Sequence, residues 1–476
     1  MNLTPSVRPR WRGVPLCLAC AFALSACATL PNLGTPPKPT STGAWRDLPP
    51  LSASWPSDDW WRGYGDAQLD QLQEEALASA PSLVAAEARL RRATAGVDIT
   101  DAANQPQLSA NADAEAAKQS DNLLMPKSSL PQGNHGYARA TLDFSWEIDF
   151  WGRNRAALAA ATSEHEAAAA DNAQARLMLT TSMATSYAEL ARWFAAEDTA
   201  REALNIREQS LRLIRQRYDN GLETLGAVRQ AQAVQAAAQT ELLAIQEQLE
   251  LTRHQLAALV GKGPERAQSI VRPRLDLTQP HQLPATLQLD LLGRRPDVVA
   301  TRLRAEAASH HIDVAHAEFY PNVNLSGFIG LQSLGIGQLT KSGSVIDSVG
   351  PAISLPIFSG GRLRAQLKGA RADYDEAVAN YDETVNRALQ SVADAATSQR
   401  ALAGQVTHSG ESVDAAREAW QISQDRYRGG LANYLDVLAA QEVLLANQRV
   451  LTDLQSRAVS LDVAMVRALG GGFRVQ

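Results

Sequence analysis

Three histidines, His310, His311 and His316, are the first candidates for metal or acid–base chemistry in this sequence. Imidazole is a common zinc ligand and a common general base. Residues meet on one face of a helix when they lie three or four positions apart, so spacings of five and six residues do not bring these rings together. The sequence also has no glycine-rich phosphate-binding loop. It therefore predicts no metal site, no cofactor and no enzyme activity.

Cys27 is the second candidate, because its surroundings favour covalent attachment of lipid. Three arginines near the N-terminus precede an apolar run from Val14 to Leu24 that is too short to span a bilayer, which is typical of a cleaved secretory signal. The sequence Leu-Ser-Ala-Cys that ends at Cys27 resembles the bacterial lipobox, whose cysteine becomes the acylated first residue of the mature protein. An ordinary signal peptide with an incidental cysteine is the alternative.

Lipidation would fix the chain firmly to a membrane, because each buried CH₂ group adds about 0.8 kcal/mol to anchoring. Ala28, not an aspartate, follows the cysteine, and in signals of this kind that indicates the outer membrane. Cys17 and Cys20 lie within the signal, so no disulfide is expected in the mature chain. The formal charge of −6 over 476 residues gives no sign of a nucleic-acid partner.

An internal duplication organises the rest of the chain. Residues 151–155 align with residues 360–364, and residues 217–222 align with residues 426–431. Both alignments have an offset of 209 residues (361 − 152 and 430 − 221), so no gap separates them. Each copy reads as helix, strand, loop, strand and two long helices, which predicts a pseudo-symmetric unit.

The strands of this unit alternate between polar and apolar residues. From Tyr137 to Phe150 every second residue is polar, so one strand face is charged and the other apolar. The charged positions predicted to line a lumen are Arg139, Asp143, Glu147 and Asp149. Four such strands of roughly ten residues have the length that a tilted transmembrane strand needs. A soluble amphipathic sheet packed on helices is the alternative.

Four strands cannot close a barrel, and a sheet in lipid cannot leave an edge open. Three chains that supply about twelve strands are the simplest solution. The sequence thus predicts a mostly α-helical protein with transmembrane β-strands.

The helices are too long for a compact domain. Neither Gly nor Pro occurs between Gly152 and Gly221, which predicts a helix approaching 100 Å. The segments that follow in both copies have apolar residues every 3.5 positions, which indicates a left-handed coiled coil. Two glycine-containing turns interrupt the helices, and we expect these tips to lie farthest from the membrane. The tip residues are Asp219, Asn220, Gly221, Arg428, Gly429 and Gly430.

Several motifs together carry a family resemblance. They are Trp60-Trp61 with Asp66 and Leu69, and residues 146–153, 292–298, 319–322, 356–362 and 427–431. This set resembles the TolC-like outer-membrane efflux factor family, in its lipoprotein branch of the OprM and NodT type. In the motif at 292–298, Pro296 and Asp297 suit the first turn of a helix, so we expect a structural role there.

The resemblance implies a homotrimer with a twelve-stranded barrel, continued by a helical tunnel in the periplasm. It also implies three kinds of partner: outer-membrane lipid, a periplasmic adaptor (membrane fusion) protein and an inner-membrane transporter. For the transporter we expect the resistance-nodulation-division type, and the major-facilitator type stays open. In the family, acidic residues just after the tip help to close the periplasmic end. Asp436 matches one such position, with Ala227 as its repeat equivalent, and a solvated helix-surface carboxylate is the alternative.

The function implied is that of a passive exit duct for drugs or other small toxic molecules. Two alternatives differ in class: the outlet of a type I protein secretion system, and a non-conducting coiled-coil lipoprotein. The predicted segments are a signal peptide (1–26), a Pro-rich lipid-anchored tether (27–57), a first repeat (58–264), a linker (265–280), a second repeat (281–470) and a tail (471–476).

Overall fold

The structure is a computed structural model that describes residues 31–38, 55–118, 120, 133–275 and 292–474. The predicted signal peptide and Cys27 lie outside the described residues, as do most of the tether and residues 276–280 of the linker. The described tether residues, 31–38 and 55–57, have no regular secondary structure. The tether therefore stays a prediction.

Helices dominate the described chain. They are α1 (Ala67–Ser79), α2 (Pro81–Ala102), α3 (Arg153–Asp219), α4 (Leu225–Leu259), α5 (Pro264–Ala267), α6 (Pro296–Ala317), α7 (Arg362–Arg428) and α8 (Tyr434–Ala468). Helices α3 and α7 have 67 residues each, and α4 and α8 have 35 each. Both pairs keep the offset of 209 residues (362 − 153 and 434 − 225), so the predicted duplication is confirmed. None of the described helices is long and apolar enough to cross a membrane.

The long helices end where the glycines predict. Gly221 and Gly430 adopt left-handed φ angles of 73° and 77°. At each end the residue after the glycine donates its N–H to a carbonyl five residues back, at 2.8 Å in both repeats. This is the Schellman arrangement, which satisfies the last carbonyls of a helix and turns the chain. Both turns therefore form from the same local chemistry.

Two compact units divide the chain, and each contains parts of both repeats. The first unit comprises the described parts of residues 1–39, 91–167 and 302–380. Its sheet has the order β1 (Gln107–Lys118), β2 (Asn134–Glu147), β3 (Asn322–Leu334) and β4 (Val345–Ser354), with every neighbouring pair antiparallel. The four predicted strands are thus confirmed.

One strand is shorter than the alternation predicts, because β2 ends at Glu147 rather than Phe150. Ile148 still donates to Val323 O at 2.9 Å, but Phe150 then donates to Ile148 O and turns the chain away from the sheet. The placement of Asp149 on a barrel strand is therefore wrong. Its carboxylate instead accepts from the Arg155 N–H at 2.9 Å, near the start of α3.

The second unit comprises the described parts of residues 40–90, 168–301 and 381–476. Its largest core contains Trp60, Trp61 and Tyr64 of a short 3-10 turn, packed with buried apolar residues of α1, α3, α4 and α8. A second core joins Val298 of α6 to α7 and α8. Asp66 caps α1 by accepting from the Gln68 and Leu69 N–H groups.

Candidate functional site

The register of the sheet gathers the predicted polar positions on one face. Ser109, Asn111 and Asp113 of β1 lie opposite Asp143, Thr141 and Arg139 of β2. In turn, these β2 residues lie opposite Phe328, Gly330 and Gln332 of β3. We call this side of the four strands the polar face. It brings together the predicted lumen residues Arg139, Asp143 and Glu147.

Hydrogen bonds fix the acidic centre of the polar face. The Asp143 Oδ2 accepts from Asn111 Nδ2 at 2.9 Å and from Thr141 Oγ1 at 2.7 Å. The Arg139 guanidinium lies 5.1 Å from the centre of the Phe328 ring. On β1 and β2 the face carries four carboxylates (Asp113, Glu115, Asp143 and Glu147) and one guanidinium, a formal charge of −3. Such a surface binds water and favours cations.

The opposite side of the sheet, the apolar face, is uncovered in a single chain. Leu108, Ile329, Val349 and Ile353 are between 59% and 78% exposed. A contiguous exposed apolar surface of this kind marks contact with lipid or with another protein. One polar face and one apolar face are what a wall between water and lipid requires.

At the base of the sheet, arginines neutralise two of the predicted lumen carboxylates. Glu147 Oε2 lies 2.6 Å from an Arg153 guanidinium nitrogen, and Asp149 lies 3.4 Å from Arg155. Glu147, Asp149 and Arg153 line a cavity of about 290 Å³, where Trp151 stacks on Tyr320 at 4.7 Å. Because Glu147 and Asp149 are paired with arginines, their negative charges contribute a weaker electric field to a lumen than those of Asp113 and Asp143.

The ends of the two helical hairpins form the second candidate site. The six predicted tip residues, Asp219 to Gly221 and Arg428 to Gly430, are all exposed. Just behind them Tyr427 joins the hairpins: its hydroxyl donates to Glu223 Oε1 at 2.7 Å, and the Arg217 guanidinium lies 4.6 Å from its ring centre. Burial, and then Glu223, raise the pKa of Tyr427. The tips are thus polar surfaces on a fixed base.

Asp436 is exposed and caps a helix. Its carboxylate accepts from the Asn433 N–H at 3.1 Å, while its own N–H donates to Asn433 Oδ1 at 3.0 Å. This reciprocal capping box satisfies two backbone donors at the start of α8. In the first repeat, the Thr224 hydroxyl caps α4 by accepting from the N–H of Ala227, which has no carboxylate to return a second bond. A structural role accounts for the carboxylate, and a role in closure stays a prediction.

Sequence reasoning missed Arg207, the charged residue buried between the hairpins. It is 4% exposed, and it donates to Gln441 Oε1 and Glu442 Oε1 at 2.5 Å each. The repeat equivalent, Ala416, is a buried alanine. The two repeats, aligned position by position, place the charged Arg207 of the first repeat at the position of the buried Ala416 in the second. This mismatch is the signal in the sequence that could have identified Arg207.

A buried polar network, which we call the clamp, holds the N-terminal turn in the second unit. Asp66 Oδ2 accepts from the Tyr187 hydroxyl at 2.8 Å and from the Arg274 N–H at 2.6 Å. Tyr64 donates to Asp462 Oδ2 at 2.6 Å. Burial raises the pKa of both phenols above 10.0, and the neighbouring carboxylates raise it further. The motif residue Asp66 and its neighbour Tyr64 therefore act in packing.

The clamp predicts a loss of stability at alkaline pH. The unfolded chain releases the phenol protons of Tyr64 and Tyr187 near pH 10, whereas the folded chain retains them to higher pH. The stabilisation is complete below about pH 10 and declines above it by up to about 1.4 kcal/mol per pH unit for each phenol. Denaturant unfolding between pH 8 and pH 12 measures this slope.

The Tyr64→Phe variant should reduce the alkaline slope, since it removes one buried phenol. Tyr218→Phe is the control, because it removes a hydroxyl from a side chain that is 41% exposed. Equal slopes in the wild type and in Tyr64→Phe would contradict the assignment.

The three histidines His310, His311 and His316 all lie on α6. His310 Nδ1 lies 3.9 Å from the Asp313 carboxylate, and the His316 ring packs beside Tyr320 at 5.6 Å. Among the described residues, no group of three or more His, Cys, Asp or Glu side chains could hold a metal ion. At the other end of α6, Arg295 pairs with Asp297 at 2.6 Å and donates to the Ala388 and Ala468 carbonyls.

Comparison with known proteins agrees with this arrangement. The model of the family described as outer membrane efflux protein matches residues 72–262 and 288–471. The multidrug resistance outer membrane protein MdtP of Escherichia coli K12 is 30% identical over 461 residues, which cover 95% of this chain and 94% of MdtP. The fusaric acid resistance protein FusA of Burkholderia cepacia is 37% identical over 326 residues, 67% of this chain and 61% of FusA.

A solved structure of high similarity is the outer membrane protein VceC of Vibrio cholerae. It shares 48% sequence identity with a TM-score of 0.84, over 88% of this chain and all of VceC. The outer-membrane channel OprN is 30% identical with a TM-score of 0.83, over 94% of this chain and 99% of OprN.

Proposed function

Because the chain belongs to the outer membrane efflux protein family, we propose that it is the outer-membrane channel of a tripartite efflux pump. Three copies form a passive duct for drugs or other small toxic molecules. The family match over residues 72–262 and 288–471 is the observation that carries this proposal. The family is one of channels rather than enzymes.

The two-faced sheet supports the closed barrel. A sheet that contacts lipid must pair both of its edges, because unpaired backbone N–H and C=O groups are costly in hydrocarbon. Four strands per chain and three chains give about twelve strands, enough for a conducting lumen. The polar face then lines the lumen and the apolar face contacts lipid.

The lipid anchor at Cys27 finds support in the described part of the tether. Leu33 packs against the cluster that contains Phe319 and Leu363, close to the start of β3. Leu33 lies six residues after Cys27 (33 − 27), and a fully extended chain of that length reaches about 20 Å. Acyl chains on Cys27 would therefore remain near the base of the sheet, where the inner leaflet of the outer membrane would lie.

The hairpin tips are the proposed contact with the periplasmic adaptor, which connects the channel to the inner-membrane transporter. Leu222 and Leu431 occupy equivalent positions of the two turns and are 65% and 74% exposed. Exposed leucines beside the glycine turns suit a docking surface between helical hairpins. Asp436 contributes to closure at this end in addition to its capping bond. For the transporter we favour the resistance-nodulation-division type.

Deletion of the gene in the bacterium that produces this protein tests the proposed function. We expect lower minimum inhibitory concentrations for several unrelated drugs, and restoration by the wild-type gene. A Leu222→Asp and Leu431→Asp double variant should reach the outer membrane but fail to restore resistance, while Tyr218→Phe restores it. Unchanged drug resistance with loss of a secreted protein would support the type I secretion alternative.

The charge of the polar face predicts modest cation selectivity. In a planar bilayer under a salt gradient, the reversal potential should have the sign of cation preference. Asp113→Asn together with Asp143→Asn should move it towards zero, because the variant removes unpaired carboxylates from each chain. Ser109→Ala, on the same face without a charge, is the control. Anion preference in the wild type would contradict the inward orientation of these residues.

A further inference from the structure

Two charged residues stand on the apolar face of the described sheet, one on each of its edge strands. Lys118 is the last residue of β1, and Asp347 is the third residue of β4. The register places both on the face that carries Leu108, Ile329 and Val349. Every other residue of this face within the four described strands is uncharged.

The two charges also lie at the same end of the sheet. In this antiparallel sheet, the end of β1 and the start of β4 both adjoin the β1–β2 and β3–β4 connections. Both side chains are exposed, and within the described part of the chain neither has an ion-pair partner. Three interstrand spacings of about 4.8 Å separate the edge strands, so the two residues cannot pair within one chain.

A lone charge on a lipid-facing strand is unfavourable, and opposite charges relieve the cost when they pair. We propose that Asp347 of each copy forms an ion pair with Lys118 of the neighbouring copy, across every seam of the trimer. The inference rests on the proposed trimeric channel and adds the residues that set the register of its seams. The site is incomplete in one chain, since each copy supplies one half of every pair.

The ends of the edge strands allow this register. Val345 of β4 pairs with Leu331 of β3, which pairs with Ala140 of β2, which pairs with Ala112 of β1. Within one chain, Val345 and Ala112 therefore lie in the same row across the sheet. Beyond Ala112, β1 continues for six residues to Lys118 (118 − 112). Strands in a closed barrel are staggered, and the stagger at a seam must be even to keep like faces together.

A stagger of six residues sets the ten residues of β4 opposite residues 109–118 of the neighbouring copy. Lys118 then lies opposite Val345 and one diagonal step from Asp347. Diagonal Cβ atoms lie about 7–8 Å apart, which a lysine side chain spans. When this stagger recurs at each seam of a twelve-stranded barrel, the strands tilt by about 45° from the barrel axis. Such a tilt is usual for barrels of this kind. A stagger of four would leave the two charges unpaired.

Charge reversal in the full-length membrane protein tests the pair. Lys118→Glu alone and Asp347→Lys alone should each lower the temperature at which the trimer dissociates in detergent, and the double variant should recover most of the loss. Lys341→Glu, an equal charge change in the adjoining β3–β4 connection, should have little effect. If the double variant dissociates at a temperature no higher than that of the less stable single variant, the proposed ion pair is wrong.

Cysteine cross-linking tests the register separately. Oxidation of a Val345→Cys and Lys118→Cys variant should give a covalent trimer, since directly opposite residues have the Cβ separation that a disulfide needs. The Val345→Cys and Ala116→Cys double variant should not cross-link. If this variant cross-links and the Val345→Cys and Lys118→Cys variant does not, the stagger is four residues and the proposed ion pair is wrong. If even the wild type forms no trimer, the proposed function fails as well.

Discussion

The Asp66→Ala substitution is expected to lower the free energy of unfolding by about 3 to 5 kcal/mol, because it removes a charged acceptor from four hydrogen bonds at once. Asp66 is 7% exposed and accepts from the Gln68, Leu69 and Arg274 N–H groups and from the Tyr187 hydroxyl. The loss removes the cap of α1 and leaves a buried phenol without this acceptor. Denaturant unfolding of the purified protein measures the change.

Asp59→Ala is the matched control in the same turn. Its carboxylate lies 3.7 Å from Arg62, and both side chains are more than half exposed. Exposed ion pairs contribute about 0 to 1 kcal/mol, so this variant should remain close to the wild type. A similar loss of stability in both variants would mean that Asp66 acts through surface charge rather than through the clamp.

The Gly330→Ala substitution is expected to prevent most of the protein from assembling into trimers. A Cβ atom at position 330 would lie 2.2 Å from Ala140 O and 2.8 Å from Thr141 Cα. Both are backbone atoms of β2, so β2 and β3 must separate. Overpacking typically costs about 1–3 kcal/mol, and we expect this site to reach or exceed the upper value because backbone must move. The yield of gel-stable trimer in membrane fractions measures the effect.

Gly350→Ala supplies the comparison within the same sheet. A Cβ atom at this position in β4 meets nothing within 4 Å, so the substitution should preserve trimer yield. Normal assembly of Gly330→Ala would show that β2 and β3 tolerate more separation than the structure implies.

The helical part of the fold was predictable because its signals are local. An uninterrupted stretch without Gly or Pro forms one helix of 67 residues, and a glycine with a left-handed φ ends it. The offset of 209 residues then transfers each boundary to the second repeat. Alternation along the strands likewise predicts the two faces of the sheet, since side chains alternate whatever their partners are.

The errors and omissions concern contacts between distant parts of the chain. Alternation continues to Phe150 in the sequence, but the backbone turns at Ile148, so Asp149 reaches α3 rather than the polar face. Nothing near Asp66 indicates that Tyr187, 121 residues away, donates to it. Arg207 likewise finds its acceptors 234 and 235 residues further along. Such pairings depend on the packed fold rather than on local pattern.

We propose that this chain is a lipid-anchored, trimeric channel of the outer membrane, and palmitate labelling tests this most directly. Cells labelled with radioactive palmitate can be fractionated, and the membrane protein run unheated on a gel beside a Cys27→Ala variant. We expect a labelled outer-membrane species near three times the precursor mass of 51.2 kDa, with the label lost in the variant. A soluble, unlabelled monomer would rule out the lipid-anchored channel and make the four strands an ordinary soluble sheet.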